Sequence, residues 1–198
     1  NPETFLKLGI FMLGIVLLLS LIGAFVRGIA DYTAAQLAKG KKVSLKTAAK
    51  TVFTEFPGYF WMRIIVLTKT LLWSLLFIVP GFIMSVRYSL AGVAYFADEK
   101  RGNQAVKHSV ALTKGAWLTT YASPQIWNLI TFSIAPLVFS TGAHAILYRQ
   151  FSAVREKRPK AHFLSWLTIL IPILAIILLA IIVLAAIMIF AYSSLHTS

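Results

Sequence analysis

A chain of 198 residues that is 59% hydrophobic and only 13% charged, with mean hydropathy +0.80, lies well below the roughly 25% charge of a soluble domain and is excluded from that class. Lys and Arg number 19 against 6 Asp and Glu, a net charge of +13. In a membrane protein such an excess belongs to short cytoplasmic loops lying against anionic headgroups, so phospholipid rather than nucleic acid is the expected partner.

The absence of cysteine removes disulfides, thiolate metal sites and thiol nucleophiles together. At about 20 apolar residues per crossing, the length holds roughly four to six membrane segments. The expected fold is therefore all-α and polytopic, one transmembrane helical domain over residues 1–198. Opening on Asn1 rather than Met suits a processed or partial gene product.

The first apolar run, Phe5 to Val26, is too long for a signal-peptide core of about 7 to 15 residues and reads as a retained span. Its glycines, Gly9, Gly14 and Gly23, favour close helix packing in general. From Arg27 to Glu55 the chain turns polar and basic, with Lys39, Lys41, Lys42, Lys46 and Lys50 as membrane-surface cations. Within it, Ser44 is placed to cap a helix whose residues Leu45, Ala48, Ala49, Val52, Phe53 and Phe56 share one face. That basic amphipathic helix is expected in the interface, against anionic lipid or against the bundle.

Pro57-Gly58 is expected to end it. The next apolar region, Tyr59 to Ala97, would be roughly 57 Å long as one helix, far more than the hydrocarbon core needs. A hairpin broken at Pro80-Gly81 resolves this, with a short second arm from Phe82 to Ala97. Asp98 to Gly102 reads as aqueous, and Asn103 as the cap of a second basic helix stopping at Gly115.

Ala116 to Tyr148, containing Pro124 and Pro136, is too long for one straight span and too short for two. It is either a single tilted crossing or two short arms that return. Placing the basic stretches Arg27 to Glu55, Lys100 to Lys114 and Arg149 to Lys160 all in the cytoplasm favours the return. Phe163 to Tyr192 is a final span containing Pro172.

An ionisable group at membrane depth costs at least about 3 kcal/mol and is a site hypothesis by default. Arg63, Lys69 and Arg87 qualify, and no carboxylate lies between Glu55 and Asp98 to pair with them. They either snorkel to the headgroups or hold an anion, such as a lipid phosphate or a solute. His144 lacks neighbours at metal-ligand spacing and reads as a structural hydrogen-bonding group. No nucleophile motif, P-loop, dinucleotide fingerprint or HExxH occurs. Neither catalysis nor a cofactor is expected.

The order Ile78-Val79-Pro80-Gly81-Phe82-Ile83, Arg87-Tyr88-Ser89, Ala105-Val106-Lys107-His108-Ser109, Lys114-Gly115 and Leu147-Tyr148-Arg149 resembles the bacterial YciC-like membrane-protein family. That family is related to the membrane domain of some glycerophosphoryl diester phosphodiesterases. The resemblance covers roughly the middle two-thirds of the chain. It implies a multi-span bundle in the bacterial cytoplasmic (inner) membrane and supplies no catalytic residues. The expected role is an accessory or interaction subunit, with a membrane-protein partner or a homo-oligomer. A transporter or lipid-handling protein is the alternative.

Overall fold

The computed structural model describes residues 2–130, 136–153 and 163–196. The chain is all-α, with no strand among the described residues. Its helices are α1 (Pro2–Ala38), α2 (Leu45–Leu76), α3 (Ile78–Arg87), α4 (Ala91–Ala97), α5 (Asn103–Thr113), α6 (Trp117–Ile130), α7 (Pro136–Ala153) and α8 (Leu164–His196). Among the described residues, four stretches are long and apolar enough to cross a membrane: Glu3–Ala38, Leu45–Leu76, Ile78–Ala97 and Ser165–Met188.

The helix α1 does not stop at Arg27 as its charges suggest but continues through Ala38. Arg27 and Asp31 are one turn apart and pair with each other, with Nε 3.3 Å from Oδ1. Ala30, Ala34 and Ala35 are buried around them, and small side chains let neighbouring helices approach closely. Only Lys39 to Ser44 breaks the helical path between α1 and α2. The break is a Schellman turn: Gly40 at φ +73° donates to the Leu37 carbonyl and Lys41 to the Gln36 carbonyl, each at 2.9 Å. The left-handed backbone there favours glycine.

Ser44 caps α2 as expected, its Oγ accepting from the Thr47 N–H at 3.2 Å. The amphipathic stripe divides, however. Ala48 and Val52 are fully buried, while Leu45 and Phe53 remain about three-quarters exposed (74% and 76%). Nor does Pro57-Gly58 end the helix, for α2 runs through Pro57 to Leu76. Gly58 serves a close approach instead: a Cβ there would collide with the Tyr95 hydroxyl.

The hairpin exists, and α2 packs on α3, but its break lies three residues before Pro80. Phe77, extended at φ −159° and ψ 142°, ends α2 and caps α3. Pro80 therefore falls in the first turn of α3, where a missing N–H costs no intrahelical bond. Gly81 supplies clearance. A Cβ there would stand 2.7 Å from Ser74 Cα and 2.9 Å from Ser74 N.

The returning arm is divided by a turn at Tyr88–Leu90 into α3 and α4. α4 is the centre of the bundle: Ala91 to Tyr95 are all buried, in one core cluster with Tyr59, Met62, Val106, Leu147 and Phe151. α5 lacks the expected Asn103 side-chain cap, because Gly102 occupies the cap position. Gly115 follows α5 at φ +78°, as a C-terminal glycine should.

α6 and α7 pack on each other. Pro124 lies inside α6 without ending it, and Pro136 is the first described residue of α7. The junction between the arms, and the basic stretch from Arg155 to Lys160 with His162, lie outside the described residues. α8 packs on α6.

Candidate functional site

Three carboxylates, Asp31 buried and Glu55 and Asp98 partly open to solvent, organise the polar contacts, and each receives a tyrosine hydroxyl from a distant part of the chain together with a basic side chain. On α1, Asp31 is 2% exposed and accepts from the Tyr59 hydroxyl of α2 at 2.8 Å. Arg27 supplies its positive charge and reaches onward with Nη2 to His144 Nδ1 of α7 at 3.4 Å. Gly92 of α4 closes the fourth side, for a Cβ there would overlap the Asp31 carboxylate. A buried carboxylate is tolerated only when paired and hydrogen-bonded. His144, buried at 7% exposure, thus holds the structural bond expected of it.

The second carboxylate, Glu55, takes both terminal nitrogens of Arg101, with Nη2 to Oε1 at 3.2 Å. The Tyr95 hydroxyl donates to Glu55 Oε2 at 3.3 Å, and the Arg101 guanidinium lies 4.7 Å from the Tyr95 ring centroid. This is a forked, π-supported pair between α2 and the segment after α4. The third, Asp98, accepts from the Tyr148 hydroxyl of α7 and stands 2.9 Å from His108 Nε2 of α5. Burial holds the His108 imidazole below its ordinary pKa, against the opposing pull of Asp98. At neutral pH that contact is therefore a hydrogen bond from a neutral ring.

The three membrane-depth cations occupy different environments. Lys69 is satisfied by protein, its Nζ donating to Asn103 Oδ1 at 2.6 Å; that amide is thereby spent on α2 rather than on capping α5. The Arg87 carbonyl accepts from Ser109 Oγ at 2.6 Å, while its guanidinium Nε is buried with no hydrogen-bond partner among the described residues. Arg63, one turn after Tyr59 on α2, is half-buried.

The surface cations Lys39, Lys41, Lys42, Lys46 and Lys50 are all exposed. A cavity of about 330 Å³ brings together the C-terminal ends of α1, α4 and α7 at Ala38 and Lys39, Asp98, and Tyr148 to Ala153. Lys39 of the first basic stretch and Arg149 at the start of the third thus line one cavity, with Asp98 just ahead of the second. Among the described residues, no group of three or more His, Asp or Glu side chains is placed to hold a metal ion.

Sequence reasoning treated Asp31, Glu55 and Asp98 as loop or surface charges and paired none of them with Tyr59, Tyr95 or Tyr148. The partners are 28, 40 and 50 residues apart, beyond any local pattern. One signal was available: Asp31 sits among Ile29, Ala30, Ala34 and Ala35, where a lone acid demands a donor. No family model, curated protein or solved structure matches the chain.

Proposed function

We propose that the chain is an integral membrane accessory or interaction subunit without chemistry of its own, seated in the bacterial cytoplasmic membrane as the YciC-like resemblance suggests. One observation carries this reading. The N-terminal part of α1, Glu3 to Gly23, and α8 from Leu170 to Met188 are exposed on every face. Gly9, Gly14 and Gly23 meet nothing within 4 Å, so the close packing that glycines permit finds no partner among the described residues. The polar contacts support the same reading, because Asp31, Glu55 and Asp98 each already hold a tyrosine hydroxyl and a basic side chain.

A photo-crosslinking amino acid at Leu13 of α1 or Leu178 of α8, activated in native membranes, tests this. A protein adduct of defined mass, including one of twice the chain's own mass, is the expected outcome at one of the two helices. Lipid adducts alone at both positions would overturn it.

A second reading is favoured by the unpartnered Arg87 Nε. A guanidinium so placed grips a phosphate or other anion in two-pronged fashion, as in a lipid-handling protein or transporter. Arg87→Leu is then expected to strip a specific anionic lipid or solute and lower the melting temperature by the lost ligand linkage. Unchanged or raised stability with unchanged bound lipid would defeat it.

A further inference from the structure

A groove of about 540 Å³ runs between α1, the start of α2 and α7, with Val26, Ala30, Leu37, Leu45, Val138 and Gly142 among its walls. Its surface is almost wholly apolar, and its volume lies within the roughly 300–1,000 Å³ of ordinary ligand sites. Leu37 and Leu45 set one end of it directly beside the Schellman turn. That turn and the first turn of α2 carry Lys39, Lys41, Lys42 and Lys46, all exposed. No acid occurs between Asp31 and Glu55 or anywhere along α7. Asp31 itself is buried and committed to Arg27 and Tyr59. An apolar channel thus opens beside a cluster of lysines in which Lys39 shares a cavity with Asp98, while Lys41, Lys42 and Lys46 have no acid on their own segment.

We infer that this groove holds one acyl chain of an anionic phospholipid whose phosphate headgroup rests on Lys41, Lys42 and Lys46. The charge selects the occupant. A second copy of this strongly basic chain or a basic helix would set cations against cations, whereas an anionic lipid matches both parts of the surface at once. The groove involves neither Arg87 nor the exposed faces of α1 and α8 used above, so it stands or falls separately from the subunit reading.

Gly142 provides a clean probe. It lines the groove, and a Cβ added there meets nothing within 4 Å, so Gly142→Phe adds bulk to the groove wall from a position whose first carbon has open space. Native mass spectrometry of the full chain in detergent, titrated with phosphatidylglycerol or phosphatidylcholine of identical acyl chains, reads the outcome. The wild type should retain one phosphatidylglycerol in preference to phosphatidylcholine, and Gly142→Phe should weaken that retention at least about tenfold. Since each lysine at an anionic surface is worth roughly fivefold in partitioning, K41Q/K42Q/K46Q should abolish the preference while leaving acyl binding.

Val138→Trp, at a groove position 67% exposed, repeats the plug should Gly142→Phe fail to fold. Wild-type retention in both plugged variants, or equal retention of the two lipids by the wild type, would overturn the assignment. So would a dimer that both plugs dissolve whether or not lipid is present, which would give the groove to a second copy.

Discussion

Gly92→Ala is expected to destabilise the protein by about 3 kcal/mol, because the new methyl must share space with a buried, charge-paired carboxylate. The collision is with Asp31, whose Oδ2 also accepts the Tyr59 hydroxyl. Relief therefore requires either parting α4 from α1 or breaking that bond. For a chain of this size the loss corresponds to roughly 6–12 °C in melting temperature, measured in detergent by tryptophan fluorescence or near-ultraviolet circular dichroism. Asp31→Ala alone should be as damaging, since it leaves Arg27, Tyr59 and His144 facing an emptied site. The double variant should then be little worse than Asp31→Ala, the signature of two residues acting through one contact. A wild-type melting temperature for Gly92→Ala would remove Asp31 from the centre of the bundle.

Gly81→Ala should be comparably harmful, at about 2 kcal/mol or more from overpacking, but for a different reason. The obstructing atoms include Ser74 Cα and N, at 2.7 and 2.9 Å from the added carbon. Backbone cannot rotate away as a side chain can. The two arms of the hairpin must separate, so Ser74→Gly in the same chain should not restore stability. Full recovery in that double variant would place the clash on the serine hydroxyl and show that the arms are not in backbone contact.

The hairpin was legible because an apolar stretch too long for the bilayer has to turn, and length is countable. Its turning point was not. Proline and glycine carry a local conformational signal, yet Pro80 fits the first turn of α3 as comfortably as it would fit a loop, and Gly81 is required by an approach to Ser74. The same ambiguity misplaced the end of the helix at Pro57-Gly58, where glycine leaves room for Tyr95. α1 was read too short because Arg27 and Asp31 look like solvent-seeking charges when each is considered alone. Together they neutralise one another, and Tyr59 adds a hydrogen bond to Asp31. The Ser44 cap, by contrast, depends only on residues three apart, and it was readable.

The three tyrosine–carboxylate contacts also imply an order of events during synthesis. Their partners enclose residues 31–59, 55–95 and 98–148, intervals that follow one another along the chain with almost no overlap. No contact has to wait for an earlier segment left open across the whole protein. As the polypeptide emerges, Asp31 meets its tyrosine first, Glu55 next and Asp98 last, each closing soon after its second partner has been made. A nascent chain released after Gly115 would carry the first two closures complete, and its sole orphaned tyrosine acceptor would be Asp98, still hydrogen-bonded to His108. These three contacts can thus close from the N-terminal side forward, leaving the packing of α1 on α7 and the Arg27–His144 bond to follow once α7 is made.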